Sequence, residues 1–136
     1  MQKVLILCTG NSARSQMAEG LLRNLAGDRY EVHSAGTKPG IVRPEAIVVM
    51  REIGIDITSH RSKHVDEFAG QYFDYVLTVC DNANENCPVY PAGTTRLHRT
   101  FSDPAGVAGS EEERQEAFRQ VRNQLSKYLE TFPPES

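Results

Sequence analysis

The feature that most constrains the fold is a continuous apolar segment that passes through a short polar turn into a helical pattern. Lys3 to Cys8 (KVLILC) has strand length and is apolar at successive positions, which is typical of a parallel-sheet strand covered on both faces. The segment ends at Thr9-Gly10-Asn11-Ser12. Beyond it, apolar residues recur at helical spacing and stop at Gly27: Met17, Ala18, Leu21, Leu22 and Leu25. The chain therefore begins with a predicted strand, loop and helix.

The same alternation continues through the middle of the chain. Tyr30 to Ala35 predicts a second strand, and Ser59 to Gly70 predicts a short helix. Between them Pro44 begins a helix that ends at Gly54, with one apolar face: Ala46, Ile47, Met50 and Ile53. Asp74 to Cys80 predicts a buried strand.

Thr94 to Arg99 predicts a weaker strand, and a last helix follows it. Ser110 and Glu113 form a capping box for that helix. Its apolar face precedes Pro133-Pro134 and comprises Phe118, Val121, Leu125, Tyr128, Leu129 and Phe132. Alternating strands and helices predict an α/β fold with a mostly parallel sheet and helices on both faces. Ligands of such sheets bind at the carboxyl ends of strands, where Cys8 and Cys80 both fall.

Composition narrows the possible partners and the compartment. The 136 residues carry 15 basic and 18 acidic side chains and a net charge of −3, so nucleic acid and anionic membrane are not expected as partners. The apolar run Val4 to Cys8 is too short for a signal peptide or for the ~20 residues of a membrane span. We expect one domain over residues 1–136 and a cytoplasmic location. Three cysteines in a reducing compartment favour catalysis, metal binding or burial over structural disulfides.

The loop after the first strand has the composition of an oxyanion cradle. Cys8 and Arg14 stand six positions apart between a strand and a helix N-terminus, where backbone N–H groups and the helix dipole favour an anion. The planar guanidinium of Arg14 suits two oxygens of a tetrahedral anion. The same donors stabilise a thiolate, so Cys8 is a candidate nucleophile at neutral pH. The alternative is a buried structural cysteine beside a solvated arginine.

A longer stretch carries a resemblance to a known family. Cys8-Thr9-Gly10-Asn11-Ser12-Ala13-Arg14-Ser15-Gln16-Met17-Ala18-Glu19-Gly20 resembles the phosphate loop of the low-molecular-weight tyrosine phosphatase superfamily, and more narrowly that of thioredoxin-coupled arsenate reductases. The likeness continues through Ser34-Ala35-Gly36, Gly54-Ile55-Asp56-Ile57, Val79-Cys80, Cys87-Pro88 and Asp103-Pro104-Ala105-Gly106. It implies a four-stranded parallel sheet in a low-molecular-weight phosphatase-like (flavodoxin-like) architecture.

The resemblance also implies roles for single residues. Cys8 is the implied nucleophile, Arg14 with the loop amides the oxyanion clamp, and Asp103 the general acid toward the leaving oxygen. By the same resemblance, Asn11 and Ser15 are expected to hold the loop and to hydrogen-bond the sulfur of the nucleophile. The oxyanion-binding loop comprises Thr9, Gly10, Asn11, Ser12, Ala13, Arg14 and Ser15, with Ser12 in a structural role.

The two remaining cysteines distinguish the reductase branch from plain phosphatases. In the reductase reading, Cys80 attacks the Cys8 adduct and Cys87 then attacks Cys80, giving a Cys80–Cys87 disulfide that thioredoxin reduces. On a helix their Cα atoms would lie ~10 Å apart, whereas a disulfide needs less than about 7 Å. Disulfide formation is therefore expected to pull residues 81–86 out of any helix. The alternative is a pair of unreactive structural thiols.

The sequence departs from the family where some of these reductases bind potassium. Asn11, Glu19 and Ser34 match three of the ligands, but Arg61 and Lys63 stand where the others would fall. Two fixed positive charges disfavour a cation, so we expect no potassium site, no other metal and no cofactor, with Lys63 or Arg61 supplying the charge. His60 and His64 are spaced as helical neighbours but flank two cations, which predicts a solvated surface instead of a metal site.

The sequence as a whole predicts an arsenate reductase with weak phosphatase activity. The first alternative is a low-molecular-weight protein tyrosine phosphatase in which Cys80 and Cys87 are inert or regulatory. A phosphocarrier that stores phosphate on Cys8 is disfavoured by Arg14 and Asp103, which would promote release. A simple anion-binding module would show no turnover that depends on Cys8.

Overall fold

The computed structural model describes residues 1–80 and 92–133, and Cys87 lies outside them. Within these residues four strands form one sheet: β1 (Gln2–Cys8), β2 (Tyr30–Gly36), β3 (Tyr75–Thr78) and β4 (Thr95–His98). The α-helices are α1 (Arg14–Ala26), α2 (Pro44–Arg51) and α3 (Glu111–Leu129), and two short 3-10 helices span Val65–Phe68 and Pro104–Gly106. The strand order is β2-β1-β3-β4, and every pairing is parallel. The predicted fold class is confirmed.

The register of the central strand brings several chain segments to one edge of the sheet. Cys8, the last residue of β1, pairs with Gly36 at the end of β2. On the other side Leu7 pairs with Thr78 of β3, and the Val79 N–H donates to the Leu7 carbonyl at 2.9 Å. Because parallel strands share one carboxyl edge, Cys8 and Cys80 emerge side by side.

Both faces of the sheet are covered. Val4 to Cys8 are all buried, as the continuous apolar pattern predicts for an inner strand. Tyr30 packs on Phe132, which follows α3, with ring centroids 5.6 Å apart. His33 points to the opposite face, since strand side chains alternate, and packs on Phe68 of the first 3-10 helix at 5.3 Å. The three α-helices form a layer in which α3 contacts both α1 and α2.

The helix boundaries follow the predicted signals, with local differences. Pro44 is the first residue of α2, and Ser110 with Glu113 forms the complete capping box of α3. The helical spacing predicts Leu25 on the buried face of α1, but this residue is 42% exposed because Ala26 occupies the core position in the last turn. Ile53 is exposed because α2 ends at Arg51 and the chain turns toward Gly54, whose φ is +80°.

The predicted helix between Ser59 and Gly70 is shorter than expected and forms only the 3-10 turn Val65–Phe68. The strand predicted over Asp74 to Cys80 narrows to Tyr75–Thr78, although Val79 and Cys80 remain buried. No helix in residues 1–80 and 92–133 combines the length and apolar character needed to cross a bilayer.

Candidate active site

A cavity of about 240 Å³ opens at the carboxyl end of β1. The loop between β1 and α1 forms most of its wall, and the carboxylate of Asp103, which is distant in sequence, completes it. The lining residues are Cys8, Thr9, Gly10, Ser12, Ala13, Arg14 and Asp103. The structure therefore brings the predicted nucleophile, arginine and acid to one cavity.

The loop is held from outside through its carbonyl groups. Lys38 N–H donates to Thr9 O at 2.9 Å, Gly40 N–H to Gly10 O at 3.2 Å, and Arg43 N–H to Ser12 O at 2.8 Å. In a trans peptide the next N–H points away from the carbonyl. The amides of Gly10, Asn11 and Ala13 are thus directed away from the 37–43 segment, and that of Asn11 reaches the Cys8 sulfur at 3.2 Å. Inward loop amides of this kind favour an anion.

The sulfur of Cys8 is buried among hydrogen-bond donors. Its Sγ lies 2.8 Å from Ser15 Oγ and accepts from the Asn11 N–H at 3.2 Å. Ser15 Oγ also accepts from Asn11 Nδ2 at 2.8 Å, which leaves its own proton to donate to the sulfur. Asn11 has a left-handed backbone with φ of +47°, a conformation that asparagine tolerates better than most residues. The Asn11 N–H and the Ser15 hydroxyl are therefore both directed at the Cys8 sulfur.

Arg14 and Asp103 face each other across the mouth of the cavity. Arg14 is the first residue of α1, and its Nη1 donates to the Phe101 carbonyl at 3.0 Å. Its Nη2 lies 3.8 Å from Asp103 Oδ2, and the Asp103 side chain is 53% exposed. Asp103 Oδ1 accepts from the Ala105 N–H at 3.0 Å, which fixes the carboxylate at the start of the second 3-10 helix.

Cys80 is buried directly beside the loop. It follows β3 by two residues, and its Sγ lies 3.3 Å from Thr9 Oγ1. Thr9 is the residue after Cys8 and lines the cavity. The structure therefore places the second predicted thiol against the wall that holds the first. Cys87 and the predicted rearrangement of residues 81–86 lie outside the described residues.

Gly36 is a functional position that the sequence did not reveal, although Ser34-Ala35-Gly36 belongs to the resemblance. A Cβ on Gly36 would lie 2.5 Å from Thr9 O and 2.9 Å from Asn11 N. Both distances are below 3.0 Å, which is closer than a Cβ atom approaches other heavy atoms in real proteins. Only a residue without a side chain lets the loop lie this close to the end of β2.

The side chains around Glu19 do not fit a potassium ion. Asn11 Oδ1 already accepts from Gln16 Nε2 at 3.0 Å and from the Lys63 N–H at 2.8 Å, and Ser34 Oγ donates to Glu19 at 2.6 Å. The Arg23 guanidinium pairs with Glu19 at 3.1 Å. The oxygen atoms that would bind a cation are thus committed to protein donors.

Of the two basic residues Arg61 and Lys63, only Lys63 keeps its charge near Glu19, in addition to the Arg23 guanidinium already paired with that carboxylate. The Arg61 guanidinium turns outward to Glu67, whereas the half-buried Lys63 ammonium donates to the Arg61 carbonyl at 2.8 Å. Burial lowers the pKa of Lys63 and the nearby Glu19 carboxylate acts to raise it. The sequence left open whether Arg61 or Lys63 supplies the positive charge. The positions of the two side chains favour Lys63.

The predicted solvated position of His60 is wrong. Its side chain is only 7% exposed, with Nδ1 3.0 Å from Gln16 Oε1 and Nε2 3.5 Å from Glu19 Oε2. Burial lowers the pKa of His60, and Glu19 opposes that effect. His64 is 42% exposed, as predicted. The segment around His60 packs on α1 through contacts between residues distant in sequence, which the local pattern did not indicate.

Comparison with known proteins agrees with this geometry. The family described as low molecular weight phosphotyrosine protein phosphatase matches residues 3–135. An arsenate reductase of Halalkalibacterium halodurans is 43% identical over 129 residues, covering 95% of this chain and 93% of the relative. An arsenate reductase solved in the oxidized state superposes with a TM-score of 0.81 at 33% identity, covering 96% of this chain and 95% of that chain.

A thioredoxin-dependent arsenate reductase of Corynebacterium glutamicum superposes with a TM-score of 0.66 at 29% identity, over 95% of this chain and 62% of that chain. The resemblance seen in the sequence is confirmed by these matches. Because the family model matches residues 3–135, nearly the whole length, the chain belongs to the low molecular weight phosphotyrosine protein phosphatase family.

Proposed function

We propose that this chain is a cytoplasmic arsenate reductase that uses Cys8, Cys80 and Cys87 in sequence and is re-reduced by thioredoxin. The observation that carries the proposal is the position of Cys80. Its sulfur lies 3.3 Å from the hydroxyl of Thr9, and Thr9 lines the cavity that holds Cys8. A phosphatase needs no second thiol at that place. The relatives named arsenate reductase support the choice of substrate.

The first step forms a bond between the Cys8 sulfur and the arsenic of arsenate. The thiolate attacks, the bond from arsenic to one hydroxyl group of arsenate breaks, and that hydroxyl leaves as water after Asp103 supplies one proton. Arg14 and the inward loop amides neutralise the charge on the remaining oxygens. Arsenic is still pentavalent in this adduct, so two electrons remain to be supplied.

The second step supplies those electrons from a thiol. The Cys80 thiolate attacks the Cys8 sulfur, the sulfur–arsenic bond breaks, and its electron pair stays on arsenic, which leaves as trivalent arsenite. The product is a Cys8–Cys80 disulfide. Cys87 then attacks Cys80, releasing the Cys8 thiolate and forming a Cys80–Cys87 disulfide. The dithiol of thioredoxin reduces this disulfide, and reducing conditions of the cytoplasm maintain the cycle.

The test is arsenate-dependent NADPH consumption in the presence of thioredoxin and thioredoxin reductase, measured beside hydrolysis of an aryl phosphate. Cys80→Ser and Cys87→Ser are each expected to abolish steady-state reduction while hydrolysis survives. Cys8→Ser is the matched control and is expected to lose both reactions. A wild type that hydrolyses the ester and consumes no NADPH would overturn the proposal.

A phosphotyrosine phosphatase is the second candidate, and the family match favours it independently of the thiols. Phosphate and arsenate are close in shape, and the cavity presents the same nucleophile, arginine and acid to either. We therefore expect weak ester hydrolysis even in the reductase. If kcat/KM for aryl phosphates exceeded that for arsenate, phosphatase activity would become the main assignment.

A further inference from the structure

A buried chain of hydrogen bonds connects His60 to the sulfur of Cys8. It runs from His60 Nδ1 to Gln16 Oε1 (3.0 Å), from Gln16 Nε2 to Asn11 Oδ1 (3.0 Å), from Asn11 Nδ2 to Ser15 Oγ (2.8 Å) and from Ser15 Oγ to Cys8 Sγ (2.8 Å). We propose that Gln16, oriented by His60, is a positioning residue that holds Asn11 and Ser15 against the nucleophilic sulfur. The inference rests on Cys8 being the nucleophile of the proposed function.

The amide of Gln16 has one satisfactory orientation. Gln16 is completely buried, and its Nε2 lies 3.0 Å from each of three acceptors: Asn11 O, Asn11 Oδ1 and Arg61 O. An amide oxygen in that place would face three other oxygens. Oε1 must therefore face His60, which in turn must carry its proton on Nδ1 in order to donate.

This orientation of the Gln16 amide holds Asn11, the residue whose N–H donates to the Cys8 sulfur. Gln16 binds both the backbone oxygen and the side-chain oxygen of Asn11, the residue with a left-handed backbone. The N–H of Asn11 reaches Cys8 Sγ, and its Nδ2 sets the direction of the Ser15 hydroxyl. A Gln16 amide that rotated would release Asn11, and both donors to the sulfur would lose their direction.

Gln16 and His60 act through other residues and do not reach the substrate. Neither lines the cavity that holds Cys8 and Arg14. His60 faces Glu19 through Nε2 at 3.5 Å, and Arg23, Lys63 and Asp56 are the other charged groups near enough to influence it. The Nδ1 atom of His60 contacts Gln16. His60 can therefore orient Gln16 only if Nδ1 carries a proton that it donates.

The experiment compares His60→Asn with His60→Gln. An asparagine amide can take the place of Nδ1 and donate to Gln16, whereas a glutamine amide extends to the place of Nε2 beside Glu19. Both variants stay polar and small enough for the site. The readout is the pH profile of Cys8 alkylation by iodoacetamide in a Cys80→Ser/Cys87→Ser background, which requires no turnover of arsenate.

His60→Asn is expected to keep the wild-type profile. His60→Gln is expected to move the profile to higher pH and to slow alkylation at pH 7 by about three- to tenfold, the effect of one neutral hydrogen bond. His60→Leu, which has no donor, should match His60→Gln. Equal profiles in all folded variants, with a loss of thermal stability alone, would overturn the proposal while leaving the reductase assignment untouched.

Discussion

Thr9 joins the two thiols of the site, because it follows Cys8 in the loop and its hydroxyl lies 3.3 Å from Cys80 Sγ. A hydroxyl at this distance can orient the Cys80 thiol toward the loop. Thr9→Val is expected to lower arsenate turnover by about three- to tenfold, whereas Thr9→Ser keeps the hydroxyl and should retain most of the activity. Thioredoxin-coupled NADPH consumption measures the change. An equal loss in the serine and valine variants would show that the hydroxyl contributes nothing.

Asp103 offers a test of the acid in the proposed mechanism. Asp103→Asn can still accept from the Ala105 N–H, so the local turn should persist, but the side chain can no longer give a proton to the leaving oxygen. We expect kcat for an alkyl phosphate to fall by about a hundredfold or more. An ester with an acidic phenol needs less protonation and should lose much less. Equal losses for the two esters would argue against general acid catalysis.

The sheet and the loop could be predicted because their signals are local. The apolar segment of β1, the polar turn and the helical spacing after it are contiguous in sequence, so they place Cys8 and Arg14 without knowledge of distant contacts. Asp103 required the family resemblance, since an Asp-Pro turn is common in loops without any chemistry. Its approach to Arg14 at 3.8 Å joins residues far apart in the chain.

The parts that could not be predicted depend on long-range packing. His60 stands among polar and basic neighbours, yet the contact with Gln16, 44 positions earlier, buries it. Gly36 has the appearance of an ordinary strand end, and only the approach of Thr9 and Asn11 shows why a side chain is excluded. Neither the burial of His60 nor the exclusion of a side chain at Gly36 can be recognised from the pattern or the composition of the neighbouring residues.

Potassium is expected to have no specific effect on this enzyme. Lys63 places a half-buried ammonium beside the Glu19 group, and the oxygens there bind protein donors. Rates of arsenate reduction in potassium and sodium chloride at the same ionic strength should therefore agree. Arg61→Ala should not change this result, since the Arg61 guanidinium pairs with Glu67 at the surface. A several-fold stimulation of the wild type by potassium would contradict the interpretation of Lys63.

The burial of His60 predicts how stability depends on pH. Burial lowers its pKa below the ordinary value of 6.5, so near that pH the unfolded state binds more protons than the folded state. Stability should be unaffected by this group above the ordinary pKa and should decline as pH falls from 6.5 through the lower folded-state value. His60→Asn removes the titrating group, and its Tm between pH 5 and 7 should vary less than that of the wild type. Parallel Tm profiles would exclude the effect.

Gly36 and Gly40 form a matched pair that tests the packing of the loop. A methyl group on Gly36 would lie 2.5 Å from Thr9 O, so Gly36→Ala must displace the loop that carries Cys8. We expect a loss of about 1–3 kcal/mol in stability from the overpacking and a loss of ester hydrolysis of at least about tenfold, because the donors around Cys8 move with the loop. Gly40 also contacts the loop through its backbone, donating to Gly10 O, but a methyl group on Gly40 would meet nothing within 4 Å. Gly40→Ala should therefore keep activity and stay within about 0.5 kcal/mol of the wild type in thermal or urea unfolding. If both variants behaved alike, the close approach of β2 to the loop would not be what holds the nucleophile in place.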